Sequence, residues 1–327
     1  MKALLLKDKG LWKDMTIGET PTPEPQAGEL LMEVHAVSLN PVDYKTATNG
    51  HPHWSYPHIL GLDFAGIVAA VGTGVTDWKP GDRAAVHGDL TKKGGYAEYA
   101  IAQASAAFRI PETVSFVEAA SVPTAGLTAY QALFRKLPIN RIESIFIHGG
   151  AGGVGGFAVQ LAKWAGIKTI ISSSSPENFP YVASLGAHHV VDYRDASMIA
   201  QCMNMTHHIG VDAVIDAVSR QSATDALQLL AFMGHLVFIA GPPDTSGLKP
   251  FTKVPSIHEI ALGAAYSNGS ERDLRDLSAM GEHLLSLIAE SKISPLYYET
   301  IALDEVPKSL QRLSERHVKG KIIVKMK

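Results

Sequence analysis

Apolar and polar positions alternate in short runs over the first third of the chain. Leu30-Leu31-Met32-Glu33-Val34-His35-Ala36-Val37, Gly66-Ile67-Val68-Ala69-Ala70-Val71 and Arg83-Ala84-Ala85-Val86 read as strands, and residues 1–6 read as an opening one. Pro21, Pro23 and Pro25 stiffen the connection after that first strand, and Trp78-Lys79-Pro80-Gly81-Asp82 makes a turn. From about Ser115 the period changes. Residues 117–133 read as a helical stretch interrupted near Pro123. Strands at 145–148, 168–172, 189–191, 213–216 and 236–240 then alternate with helices near 156–165, 180–185, 197–203 and 222–232. This alternation predicts an α/β fold with a doubly wound parallel sheet. The last strands, near 297–303 and 321–325, are expected to return to the first, β-rich domain.

One turn in that alternation carries chemistry. Residues 148–156 read His-Gly-Gly-Ala-Gly-Gly-Val-Gly-Gly, with Ile145-Phe146-Ile147 before them and a helical pattern after. Gly150, Gly152 and Gly155 make a GxGxxG between strand and helix, the context in which that motif binds a dinucleotide pyrophosphate. Gly153 and Val154 are counted with this turn as cofactor-binding, and the N-terminus of the helix that follows offers unpaired N–H groups to the phosphates. At the end of the next strand, where NAD enzymes usually place a carboxylate for the ribose hydroxyls, stand Ser172, Ser173 and Ser174. Hydroxyls donate to a 2′-phosphate and do not repel it, so NADPH is favoured. The alternative is a serine-rich loop that admits either cofactor.

Composition narrows the class. The chain has 327 residues, 46% hydrophobic and 19% charged, which fits about two soluble domains. Its net charge of −3 gives no electrostatic case for nucleic acid or an acidic membrane. No stretch approaches a membrane span and the N-terminus lacks a signal-peptide pattern, so a cytoplasmic protein is expected. Cys202 is the lone cysteine and reads as a structural thiol, which removes disulfides and cysteine-based zinc sites.

Motifs that recur in order identify a resemblance. Ser38-Leu39-Asn40-Pro41-Val42-Asp43-Tyr44-Lys45, Leu60-Gly61-Leu62-Asp63-Phe64-Ala65-Gly66, Pro80-Gly81-Asp82-Arg83-Ala84-Ala85, Gly94-Gly95-Tyr96-Ala97-Glu98-Tyr99, the glycine turn and Gly320-Lys321-Ile322-Ile323-Val324 span essentially the whole chain. Together they resemble the zinc-free, zeta-crystallin-like quinone oxidoreductases of the medium-chain dehydrogenase/reductase superfamily. The resemblance implies a GroES-like catalytic domain, residues 1–118 with 295–327, and a Rossmann domain at 119–294. It also implies a homodimer or homotetramer with Rossmann sheets joined edge to edge.

Zinc alcohol dehydrogenases of the superfamily place cysteine, histidine and cysteine where Asn40, Leu62 and Thr124 stand. These three cannot hold zinc, which takes thiolate, imidazole or carboxylate, so no metal is expected. The fourteen histidines show no regular metal-ligand spacing. Without a Lewis acid, oxidising an alcohol is hard, whereas a quinone or enone accepts hydride directly. The expected activity is NADPH-dependent reduction of a quinone or an α,β-unsaturated carbonyl. Competing readings are an NADPH-binding protein with little turnover, in a sensing or structural role, and, less favoured, an alcohol dehydrogenase.

The resemblance also suggests residue roles. Asn40 is a candidate to hydrogen-bond the substrate oxygen or the cofactor, and Tyr44 is a candidate phenol donor or a packing residue. Asp43 reads as a structural or orienting carboxylate rather than a catalytic acid. His51, His53, Trp54 and Thr124 are placed at the substrate cleft, where residues 46–56 and 245–270 would set selectivity. Thr128, Tyr193, Ala240, Gly241 and Lys321 are assigned to the cofactor. Asn178 stands where many members have a lysine for the 2′-phosphate, and Arg194 is the compensating candidate.

Overall fold

In the computed structural model, which describes residues 1–316 and 318–327, the chain divides into two compact units. Residues 1–127 and 262–327 form the first, and residues 128–261 the second.

The first unit begins with β1 (Lys2–Leu5) paired antiparallel to β2 (Thr16–Glu19). Next come β3 (Glu29–Ser38), α1 (Pro41–Asn49), β4 (Asp63–Val71), β5 (Arg83–His87), β6 (Tyr99–Gln103), β7 (Phe108–Arg109), α2 (Phe116–Ala120) and α3 (Pro123–Gln131). β3 is the hub, antiparallel to both β4 and β6. Its alternation explains this: Leu30, Met32, Val34 and Ala36 are all buried and lie on one face of the pleat.

The second unit holds β8 (Ser144–His148), α4 (Gly153–Trp164), β9 (Thr169–Ser174), α5 (Phe179–Leu185), β10 (His189–Asp192), α6 (Met198–Met205), β11 (Val211–Asp216), α7 (Arg220–Ala226), β12 (Leu230–Phe238) and β13 (Ser256–Glu259). Its strands are parallel in the order β10-β9-β8-β11-β12-β13. The chain steps outward from β8 to β10, then crosses back to lay β11 on the other side of β8. That reversal between β8 and β11 is the switch point where doubly wound sheets bind ligands. Cys202 is buried here and burial pushes its thiol up to about 11, as befits a structural side chain.

The chain then returns to the first unit through α8 (Ala264–Asn268), α9 (Glu271–Ala289), β14 (Tyr297–Ile301), α10 (Val306–Ser314) and β15 (Lys321–Lys325). β15 lies between β14 and β3, so the last strands complete the first sheet as expected.

Two local differences from the sequence reading have physical causes. The helix expected at 222–232 ends at Ala226, and Leu230 already pairs with Val211 in the parallel sheet. A short apolar run fits either element, and here pairing with β11 prevails. Residues 262–294, which the resemblance assigns to the nucleotide-binding domain, group with the first unit. There Ser278 Oγ on α9 donates to the Ala107 carbonyl at 2.6 Å, and Gly281 lies against the Phe108 ring.

Candidate active site

Asn40, in extended conformation, follows β3 and caps α1, with Pro41 at the first helical position. Its backbone N–H donates to Asp43 Oδ2 at 2.8 Å, which locks the first turn. The Tyr96 hydroxyl donates to the same oxygen at 3.0 Å. Burial pushes the Asp43 carboxyl up to about 7. The Asn40 and Tyr96 donors and Lys321 pull it down, and Asp63 pushes it further up.

A second buried carboxylate organises the neighbourhood. Asp63, at the start of β4, accepts from Thr124 N at 3.0 Å, from Thr124 Oγ1 at 2.6 Å and from Asn40 Nδ2 at 2.8 Å. Lys321 Nζ lies 3.7 Å from Asp63 Oδ2, donates to the Leu39 carbonyl at 3.0 Å and also reaches Asn40 Oδ1. Burial lowers the Lys321 ammonium from its usual value, and Asp63 opposes that shift. The fold thus brings Asn40, Thr124 and Lys321 into one cluster, with Asp43 beside them as an orienting carboxylate and with Asp63 and Tyr96 as members that sequence reasoning did not place there. Asn40, expected to meet substrate or cofactor, has its amide engaged by Asp63, Lys321 and the Ser38 carbonyl at 3.4 Å. Lys321, expected at the cofactor, has its ammonium turned into this interior. Leu62, next to Asp63 in the chain, is buried and carries no group able to join these bonds.

The other cleft candidates are nearby on loops. Trp54 Nε1 donates to the Leu90 carbonyl at 2.7 Å, and its ring stacks on His58 at 4.0 Å. Burial pushes His58 down to about 4. His51 is half-buried and His53 exposed, with ring centroids 5.4 Å apart. Tyr44 is only partly buried, its ring 5.8 Å from Trp12 on the core of this unit, and burial raises its phenol. Tyr44 is therefore placed with packing contacts and outside the Asn40 cluster. His87 and Tyr266 were not anticipated: the Tyr266 hydroxyl donates to the His87 carbonyl, and burial lowers the pKa of that imidazole, opposed by Asp63.

The second unit carries the glycine turn. Gly150 N donates to the Ser173 carbonyl at 2.9 Å and Gly149 N to Ser173 Oγ at 3.1 Å, so the turn is tied to the end of β9. A Cβ on Gly150 would meet Ser172 and come within 2.8 Å of Val182, and one on Gly155 would overlap the Gly149 carbonyl. A Cβ on Gly152 would meet nothing closer than 3.4 Å. The outer two glycines are needed by the protein itself, and the middle one borders open space. Gly153 and Val154 open α4, where first-turn N–H groups lack helical acceptors.

At the switch point, register partners His148 and Asp216 end β8 and β11. Nδ1 and Oδ2 face each other at 3.8 Å, both buried without a hydrogen-bond partner. Orphaned polar atoms beside a phosphate-type turn are what a bound ligand or water satisfies. The sequence signal was present, since both end adjacent apolar strands, but only the strand order makes them neighbours.

The serines are less available than expected. Ser172 Oγ donates to the Ile147 carbonyl at 2.8 Å and Ser174 Oγ to the Ser175 carbonyl at 2.8 Å, while Ser173 serves the turn. Asn178 Nδ2 donates to Ser175 Oγ at 3.1 Å. Carboxylates stand closer to this end than the serines alone suggested. Arg194 is held by Asp192 at 3.1 Å and lies 4.0 Å from Glu177, and its guanidinium sits over the exposed Tyr193 ring. Thr128 is buried in α3, and Ala240 and Gly241 follow β12, with Gly241 at φ +135°.

Comparisons with known proteins agree with this geometry. Residues 26–112 match the alcohol dehydrogenase GroES-like domain, and residues 153–280 match the zinc-binding dehydrogenase family. Quinone oxidoreductase from Sus scrofa is 33% identical over 252 residues, covering 76% of this chain and 75% of that protein. The structure of quinone oxidoreductase from Coxiella burnetii is 29% identical, with a TM-score of 0.82, over 100% of this chain and 99% of that one. A mycobacterial structure complexed with NADPH is 27% identical, with a TM-score of 0.85, over all of both chains. With a GroES-like sheet, a doubly wound sheet and relatives of this closeness, the chain belongs to the quinone oxidoreductase group of the medium-chain dehydrogenase/reductase superfamily.

Proposed function

We propose that the protein is a zinc-independent, NADPH-dependent reductase of quinones or α,β-unsaturated carbonyls. The observation that carries this reading is the closed cluster of Asn40, Asp63, Thr124 and Lys321. A dication there would meet the buried Lys321 ammonium, the engaged Asn40 amide and the neutral Thr124 hydroxyl, and the one carboxylate among them, Asp63, is already taken up by those three groups, with no thiolate or imidazole beside it. With no Lewis acid in place, the reaction suited to the site is reduction of an acceptor that is already electrophilic.

The open space at Gly152 and the orphaned His148–Asp216 pair support a dinucleotide in the second unit. The N–H groups of Gly153 and Val154 would hold its pyrophosphate. Ser174, Asn178, Tyr193 and Arg194 would meet the adenosine end, and Thr128, Ala240 and Gly241 the nicotinamide end. When bound, the cofactor supplies hydride. The residues of the chain orient the acceptor and exclude water, a proximity task that Trp54 and the loop at 50–56 would serve. Arg194 is the cation offered to a 2′-phosphate, opposed by the Glu177 carboxylate, so NADPH is preferred by a modest factor. A soluble homodimer or homotetramer completes the reading. It is supported by β13, which ends its sheet, and by exposed Phe232, Met233 and Ile257 on the β12–β13 edge.

The test is cofactor oxidation by the chelator-treated protein against a panel of quinones and enones, with NADH in parallel. Turnover with NADPH preferred is expected. Tight NADPH binding with no turnover across the panel would replace the reductase with a binding protein.

A further inference from the structure

The interior of the first unit holds a carboxylic acid whose nearby cation is directed elsewhere. Asp43 is 3% exposed, and Lys321 points at Asp63, Asn40 and the Leu39 carbonyl. Both donors to Asp43, the Asn40 amide and the Tyr96 hydroxyl, converge on Oδ2. In the protonated acid the proton then belongs on Oδ1, which receives neither donor. Asp43 also lines a small cavity of about 20 Å³, room for about one water, with Thr46, Trp54, Leu62, Lys92 and Lys93. That cavity joins the acid to the loop assigned above to substrate, and its two lysines are exposed.

We propose that Asp43 stores the proton of the reductive half-reaction and delivers it through this cavity to the anion that hydride addition leaves behind. The proposal rests on the reductase reading. An enone that has accepted hydride at its β-carbon is an enolate, its former C=C pair delocalised onto oxygen. The Asp43 Oδ1–H bond breaks, the proton passes through water in the cavity to the enolate α-carbon, and Asp43 is left as the carboxylate. Solvent at the Lys92–Lys93 rim returns the proton. The acceptor has gained one hydride and one proton, and the cofactor has been oxidised by two electrons. A quinone reduced by hydride leaves as a phenolate that bulk water protonates. Asp43 therefore matters more for enones than for quinones, which makes the acid a determinant of substrate class.

The groups facing Asp43 are Tyr96, Asp63 and Lys321, and burial sets its titration near 7 against their sum. Asp43→Asn keeps an acceptor for both donors and removes the acid. With an enone, kcat should fall about 100-fold and lose its descending limb near pH 7, and with a quinone it should fall less than about tenfold. Tyr96→Phe removes a donor that favours the carboxylate, so the limb should move to higher pH. A readout independent of cofactor is infrared titration of the protein alone. A protonated-carboxyl band should disappear as pH rises through about 7 in the native protein and be missing in Asp43→Asn. A native pH limb and native enone rate in Asp43→Asn, or an unshifted limb in Tyr96→Phe, would overturn the inference and leave the reductase reading intact. No NADPH oxidation by the native protein with any acceptor would remove both.

Discussion

His58 and Lys321 are both buried bases, and only the lysine has acidic company. His58 lies against Trp54, and burial brings it down to about 4. An unfolded imidazole takes up its proton near 6.5, so between those values the unfolded chain binds more protons than the folded one. Stability should therefore fall as pH drops from about 6.5 to about 4, by roughly 3 kcal/mol from this residue. Urea unfolding of the native protein and of His58→Phe across that range checks it: the variant should show a flatter pH slope. Asp43 has the opposite sign. Its raised pKa makes the folded state hold a proton that the unfolded carboxyl has lost, so its contribution declines as pH rises from about 4 to about 7. Lys321→Met would strand Asp63 and should cost about 3–5 kcal/mol, whereas adding Asp63→Asn should recover part of the loss. Denaturant midpoints of the single and double variants decide it, and fully additive losses would dissolve the cluster as a unit. The vacant ligand positions at Asn40, Leu62 and Thr124 were legible in the sequence because each is a matter of residue identity. Their engagement with Asp63 and Lys321 was not, since residues 40, 63, 124 and 321 meet only through β3, β4, α3 and β15.

Glycines show where an element is fixed by contact rather than by propensity. Gly281, inside α9, would as alanine gain about 1 kcal/mol of helix preference. Its Cβ, however, would strike the ring of Phe108, a side chain fully buried. Gly281→Ala should therefore destabilise by about 1–3 kcal/mol net, measured as a lower Tm, and a rise in Tm would show that the ring can move aside. In the second unit Gly155→Ala collides with the backbone of Gly149 and should abolish dinucleotide binding, while Gly152→Ala folds normally and weakens it. Calorimetric titration with NADPH separates the two. Strands with clean alternation or continuous apolar runs, such as β3 and β8, were readable from pattern. Leu230–Phe232 was not, because three residues cannot distinguish a helix end from a strand start. The signal for α9 was in the chain, with Ser270 and Asp273 at its cap and Leu277, Leu284, Leu285 and Ile288 on one face, but flanking loops obscured it.

At the scale of the molecule, the order of strands does what no motif does alone. β15 returns to β3 and delivers Lys321 to Asn40, and the reversal at β8 and β11 sets His148 beside Asp216. The alternation of strand and helix foretold the parallel sheet, the short apolar–polar runs foretold the first one, and the late return of the chain was legible in its last two strands. The pairings that create the site belong to topology and carry no local signature. The proposed reductase reading draws on this arrangement, in which the Lys321 ammonium is joined to Asn40 and Asp63. Its most direct test is NADPH-dependent enone reduction by metal-stripped protein, repeated after zinc is restored, beside NADP-dependent oxidation of a secondary alcohol. The account predicts enone reduction that is indifferent to zinc and little alcohol oxidation in either state. Activity that appears only with zinc, or alcohol oxidation that exceeds enone reduction, would contradict it.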